Sequence, residues 1–442
     1  MSCLEPPDLP EWLRQRLLEA GGSVPFRRYM EWALHDPQHG AYGSGRLRIG
    51  RQGDFVTSPS LGSDFAALLA PQLAEWLGEL AIGLALDRDS DRRGPGAGPQ
   101  GPRPLALVET GPGEGDLALL LAQALAQGWP ELAALCELVL VEPNRGMAAR
   151  QQRRLERCPL PCRWCSAGEL AQAPCSGVVL AHEVLDALAV ERIRWDGRQW
   201  RQQRVALHQA PGQAEALHLV DGESLEPKAE PALEQLGLWP PDPRRCPGWT
   251  TELHPGLAPW LAGCAAGLQR GRLLVIDYAL PAERYYAPQR PDGTLLAYRQ
   301  QQASGDPLRQ PGFWDLTAHL CSESLLEAAR QGGWSLIGQR SQGEALLALG
   351  LAQRLHGLQA PVAGHQLDLA TALGRREGLL RLVDPAGLGA FRWFAFSREG
   401  SAETQPSALE HKPEASSHPG EAVAPGSQPS GRTALPLFLR DP

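Results

Sequence analysis

Two acidic residues three positions apart, Glu183 and Asp186, lie in the segment AHEVLDALAV, Ala181–Val190, at the end of the apolar run GVVLAHE. If this segment opens a helix, the two carboxylates share a face, because residues three apart are neighbours on a helix surface. Paired carboxylates at a strand end can hold a cation or accept a proton from a nucleophile. The plainer alternative is an acidic first turn favoured by the helix dipole. His182 stands beside them, and an imidazole there introduces a group titrating between roughly pH 6 and 7. A second set lies upstream. Glu109 ends the apolar run Leu105–Glu109, and Gly111, Gly113 and Gly115 follow at alternate positions around Pro112. Glycines in such a turn let the backbone approach a ligand, and the helix beyond offers unpaired N–H groups. A dinucleotide fingerprint would place its third glycine where Asp116 stands, and a P-loop would need a Gly-Lys-Ser/Thr that is absent. The other reading of the pattern is a structural left-handed turn. Glu142, before Pro143, ends the next apolar run and is placed to accept both ribose hydroxyls of a nucleoside lying across the strand ends; alternatively it caps a helix. In Gly53-Asp54-Phe55, Asp54 could meet a ligand's ammonium group, although the tripeptide alone says little more than turn.

These residues need a scaffold. Apolar runs at 105–109, 137–142, 162–165 and 177–183 alternate with helical periodicity at 115–127 and 145–157. That alternation predicts an α/β fold, Rossmann-like, with a mostly parallel sheet covered by helices on both faces. The buried run 272–279 adds a strand, Leu325–Arg330 a short helix, and Ser335–Gly338 with Phe391–Ser397 close the sheet. The N-terminal 1–86 reads as a helical section (Leu9–Ala20, Pro25–Leu34, and a long helix from Phe65 to about Leu86). Within it, the Gly-, Asp- and Ser-rich loop His35–Phe65 is suited to covering a ligand. Residues 87–104, rich in Gly and Pro, read as a flexible linker, and the main domain as 105–398. Its β-rich insertion over about 192–250 carries a hairpin, before helix returns at Thr251–Gln269. From 399 to 442 the composition predicts a disordered tail, apart from Leu435–Leu439, an apolar end that can dock on a partner or on the domain itself.

The chain has 442 residues, 43% of them hydrophobic, enough for a substantial core. A net charge of −8 and the lack of a basic block disfavour nucleic acid as a partner. No stretch of 18 uninterrupted apolar residues suggests a membrane span, and MSCLEPPDLPEW lacks the pattern of a signal peptide, so a cytoplasmic protein is expected. Of nine cysteines, the group Cys158, Cys162, Cys165 and Cys175 holds a single CxxC, which reads as reduced thiols and not a metal site.

Taken together, the segments PFRRYMEWAL, GRQGDFVTSPSLGSDF, LVETGPGEGDLA, LVEPN, VVLAHEVLDALAV, LLVIDYA, YYAPQRPDGTLLAYRQ and QPGFWDLTAHL, in this order over roughly Pro25 to Gly350, resemble the MidA family of methyltransferases. The resemblance implies a class I S-adenosyl-L-methionine-dependent methyltransferase with an added helical N-terminal section. The mitochondrial member of the family is a protein arginine methyltransferase that serves respiratory complex I assembly. By the same resemblance Gly111, Gly113 and Gly115 match the cofactor turn, Glu142 the ribose acid, Asp54 the loop acid, and Glu183 with Asp186 the acids after the fourth strand; Glu109, Pro112, Pro143 and Phe55, next to these positions, are read as further cofactor contacts, and His182, beside the acids, as part of the catalytic group. On this reading the partner is an arginine-bearing protein in a bacterial cytoplasm, and a homodimer is an open possibility. An assembly factor without transfer activity and a small-molecule methyltransferase are the alternatives. The chain departs from the family pattern at His182 (Asn in the family), Ala279 (Gly) and Ala189 (Pro).

Overall fold

The computed structural model describes residues 8–47, 57–91, 104–209, 211–212, 214–225, 230–358, 368–399 and 435–441. At its centre is a seven-stranded sheet, whose strands we number β1 (Leu105–Thr110), β2 (Cys136–Val141), β3 (Cys162–Cys165), β4 (Cys175–His182), β5 (Leu268–Asp277), β6 (Ser335–Ser341) and β7 (Arg392–Arg398). They run in the order β6-β7-β5-β4-β1-β2-β3. β1 to β5 are parallel to their neighbours, and β7 is antiparallel to both β5 and β6.

The strand sequences explain the layering. In β1, Leu105 and Leu107 enter one core with Leu138, Leu140, Leu180 and Ile276, while Ala106 and Val108 enter the other with Val139, Val179 and Val275. A parallel sheet buried on both faces needs such continuous apolar runs instead of alternation with polar residues. The first core is covered by helices Ser63–Asp91 and Asp116–Gly128, and the second by Leu257–Gly267 and Ser322–Gln331. The connection reverses direction between β4 and β1, and at such a switch point the strand ends leave a crevice.

Several boundaries differ from the sequence reading. Helix Ser63–Asp91 runs past the expected start of the linker at 87, and residues 92–103 lie outside the described set. Thr250–Leu253 is a strand paired with Glu191–Arg194, so the helix expected from Thr251 begins only at Leu257. The N-terminal section is not separate from the insertion: Ser23–Pro25 pairs with Arg204–Ala206 and completes a five-stranded sheet. At the chain's end, the apolar segment takes one of the two placements open to it, on the domain itself. Phe438 is fully buried in the first core, with ring centroids 5.7 Å from Trp393 and 6.2 Å from Trp76. Its backbone N–H donates to Gln72 Oε1 at 3.0 Å, and that of Leu437 to Glu75 Oε2 at 3.2 Å. The expectation for residues 400–434 lies outside the described set.

Candidate active site

A cleft of about 900 Å3 opens at the ends of β1, β2 and β4. It is lined by Glu109, Gly111, Pro112, Gly113, Glu142, Pro143, His182 and Glu183, eight of the twelve positions singled out from the sequence. Gly115 and Asp186 stand just behind its wall, and Asp54 and Phe55 lie outside the described residues.

The glycine turn follows from backbone geometry. Gly111, Gly113 and Gly115 have φ of 61°, 53° and 85°, a region costly for any residue with a Cβ. A Cβ on Gly111 would also lie 2.9 Å from Val184 Cγ2. Gly115 is the N-cap of helix Asp116–Gly128, so it shapes the turn without facing the cleft. At the end of β1, Glu109 is buried, and its Oε2 has no hydrogen-bond partner among the described residues. Burial, reinforced by the charge of Asp116, pushes its carboxyl up to about 8. An orphaned buried carboxylate beside an open turn is a site waiting for a cationic donor.

Glu142 sits one residue beyond β2. Its Oε1 accepts the N–H of Asn144 at 2.8 Å and its Oε2 accepts Gln151 Nε2 at 3.0 Å; burial still raises its pKa. Gln151 also donates to the Gly113 carbonyl at 2.8 Å and accepts Trp164 Nε1 at 3.1 Å. This fully buried glutamine therefore links the glycine turn to Glu142. Asn144 caps helix Arg145–Arg154 by accepting the N–H of Met147 at 2.9 Å.

Beyond β4 the expected helix does not form. The chain leaves the sheet in an irregular turn, with Glu183 at φ 53°, so Glu183 and Asp186 do not share a helix face. The reason is Asp277, at the end of the neighbouring β5. Its Oδ2 accepts the backbone N–H groups of Val184 (3.3 Å), Leu185 (2.9 Å) and Asp186 (3.3 Å), and its Oδ1 accepts that of Tyr278 (2.8 Å). The Glu183 N–H donates to the Ile276 carbonyl at 2.9 Å, and Glu183 Oε1 accepts Ser58 N–H at 3.4 Å. Burial, with the charges of Asp186 and Asp277, holds the Glu183 carboxyl well above its usual range. Burial likewise brings Asp186 to about 7. Among the described residues no arginine or lysine pairs with either acid; the one basic neighbour is His182, whose Nε2 lies 3.4 Å from Glu183 Oε1. His182 packs against Phe65, 5.2 Å between ring centroids, and burial depresses its pKa to about 3. Its imidazole is neutral at every physiological pH, which corrects the expectation of a titration between pH 6 and 7: that expectation assumed solvent exposure.

Sequence reasoning missed Gln151, Asn144, Ser58 and Asp277. Asp277 carried a readable signal, an acid ending a buried strand in RLLVIDYA. Gln151 carried none, being a glutamine among polar residues of a helix.

A sheet of this order with one antiparallel strand near its edge, a glycine turn after β1 and an acid after β2 defines a class I S-adenosyl-L-methionine-dependent methyltransferase. The comparisons agree. The model of the S-adenosyl-L-methionine-dependent methyltransferase family Methyltransf_28 matches residues 97–340, more than half the chain, and the chain belongs to this MidA-type family. A crystal structure of a Burkholderia thailandensis protein bound to S-adenosyl-homocysteine is 30% identical, with a TM-score of 0.71, covering 88% of this chain and 91% of that one. The mitochondrial protein arginine methyltransferase NDUFAF7 homolog of Drosophila melanogaster is 28% identical over 425 residues, 88% of this chain and 84% of its own. The mouse mitochondrial protein arginine methyltransferase NDUFAF7 is 26% identical over 411 residues, 86% of this chain and 82% of its own.

Proposed function

We propose that this methyltransferase modifies the guanidinium group of an arginine side chain in a protein. The observation that carries the reading is the pair of acids after β4, Glu183 lining the cleft with its side chain 8% exposed and Asp186 buried just behind it, without an arginine or lysine partner among the described residues. Their raised pKa values mark acids whose ionised forms await a positive partner. A guanidinium supplies it: planar, permanently charged and able to bond carboxylates through a fork. Several relatives are named as protein arginine methyltransferases, which supports the same substrate class.

The residues present fit the cofactor. Glu109 Oε2 would receive its ammonium group, the turn Gly111–Gly113 would admit its amino-acid portion, and Glu142, held by Gln151, would accept ribose hydroxyls. When bound, S-adenosyl-L-methionine supplies an electrophilic methyl group on a sulfonium. The protein's share is alignment in a water-poor site. Glu183 and Asp186 orient the guanidinium and localise its charge away from the attacking nitrogen, and Glu183 takes up the proton that N-methylation releases. Neutral His182 stands beside the Glu183 carboxyl without adding a charge to it.

Incubating the protein with methyl-labelled S-adenosyl-L-methionine and cell lysate tests the reading. Label recovered as methylarginine after acid hydrolysis of protein is the expected result. Label confined to small molecules, or no transfer at all, would overturn it.

A further inference from the structure

Every side-chain hydrogen bond of Asp277 among the described residues is to a backbone amide. It is fully buried, does not line the cleft, and spends both carboxylate oxygens on four backbone amides, three of them consecutive, from Val184 to Asp186, and the fourth that of Tyr278. Successive N–H groups converging on one oxygen form an anion-binding concavity, here filled by a side chain of the same protein. The turn they belong to, Glu183–Asp186, carries both acids of the site, one at each end. It also contains Glu183 in a left-handed conformation, which a non-glycine residue keeps only where its surroundings over-determine it.

We infer that Asp277 is a positioning residue for methyl transfer: by gathering the amides of residues 184–186 it denies this segment a helical start and aims Glu183 at the cleft. Without it, the three amides lose their acceptor, and the acids are free to move into the helical turn that AHEVLDALAV would otherwise begin. The inference rests on the arginine reading above. It goes further in assigning the rate of transfer to a residue that contacts neither substrate nor cofactor.

The placement dictates a specific pattern of effects. A displacement of about 1 Å at a reacting group is enough to cost roughly 100-fold in rate. Loss of Asp277 is therefore expected to lower kcat by about that factor while leaving cofactor affinity, which depends on Glu109, the glycine turn and Glu142, within about twofold. An asparagine can turn its carbonyl oxygen to the three amides but then sets its NH2 group against the Tyr278 N–H. Asp277→Asn should accordingly retain more activity than Asp277→Ala.

The test compares full-length wild type, Asp277→Asn and Asp277→Ala in three measurements: steady-state methylation of an arginine-containing peptide, S-adenosyl-homocysteine affinity by calorimetry, and amide hydrogen exchange over residues 183–188. The expected result is a graded loss in kcat, Asp277→Ala below Asp277→Asn below wild type. KM and cofactor affinity should be nearly unchanged, and exchange of the 184–186 amides accelerated in the same order. Should Asp277→Ala fail to fold, the Asn variant and its exchange pattern decide. Wild-type kcat in a variant whose 184–186 amides exchange faster overturns the inference alone, as does equal loss of cofactor affinity and kcat. A wild-type protein that modifies no arginine overturns the arginine reading and the rate assignment with it, and the wild-type control separates this from the other failures.

Discussion

Gln151 Nε2 donates to Glu142 Oε2 at 3.0 Å and to the Gly113 carbonyl at 2.8 Å, so one buried amide fixes the carboxylate after β2 relative to the turn after β1. Two of the places where a nucleoside cofactor would be held are therefore mechanically linked. Glu142→Ala should weaken S-adenosyl-homocysteine binding by about 10- to 100-fold, the cost of one charge-assisted acceptor. Gln151→Leu, which touches no ligand, should weaken it in the same direction by freeing Glu142. Calorimetry on folded variants measures both, and unchanged affinity in Glu142→Ala would remove that residue from the site.

Glu109 gives cofactor binding a pH dependence. Burial raises its carboxyl to about 8 in the ligand-free protein, and an ammonium group placed against it would favour the ionised form. Binding near pH 7 should release a proton, visible as a buffer-dependent calorimetric enthalpy, and affinity should rise with pH up to about 8 and then level off. Glu109→Gln should abolish both effects. The sign for stability is opposite: because the folded-state pKa lies above the ordinary 4.5, the stabilisation is complete below that value and is lost as pH rises towards 8. Denaturant unfolding of the ligand-free protein at pH 6 and 8 should show a larger loss in wild type than in Glu109→Gln.

Transfer itself should follow the acids and not the imidazole. Asp186 titrates at about 7 and Glu183 lies well above its usual range, both through burial first, whereas His182 is neutral down to about 3. A guanidinium needs ionised partners, so kcat/KM for an arginine peptide should rise with pH through about 7. His182→Asn, which restores the residue of the family pattern, should leave the midpoint of that profile in place. A shift of the midpoint on this substitution would show that the histidine titrates after all.

The chain end is structural. Phe438 is fully buried between Trp76 and Trp393, and truncating a buried phenylalanine to alanine costs about 3–5 kcal/mol. Phe438→Ala, or deletion of residues 435–442, should lower Tm by several degrees while leaving cofactor affinity little changed. An unchanged Tm would mean that the docked segment adds nothing to the fold.

What could be read from the sequence was whatever depends on local pattern. The apolar runs ending in Glu109, Glu142 and Glu183 announced β1, β2 and β4, because a strand buried on both faces has no choice but to be apolar throughout. The glycine turn was legible because positive φ at 111, 113 and 115 demands the residue type. Contacts between distant segments were not legible. The acids 183 and 186 looked like a helix start because the acceptor of the amides of residues 184–186, Asp277, lies 91 to 93 residues away. Likewise, nothing in Ser23–Pro25 or in Phe438 specifies a partner; both are decided by which edge or cavity the rest of the chain leaves open.

The central claim, that the buried acids after β4 grip a guanidinium, is tested most directly by Glu183→Gln assayed on an arginine-containing peptide, with S-adenosyl-homocysteine affinity measured on the same preparation. The amide keeps the shape of the side chain and removes its charge. Unchanged cofactor affinity with at least about a 100-fold loss of kcat is expected, the size of effect when a reacting group loses its general base. Methylation of the peptide at the wild-type rate would contradict it.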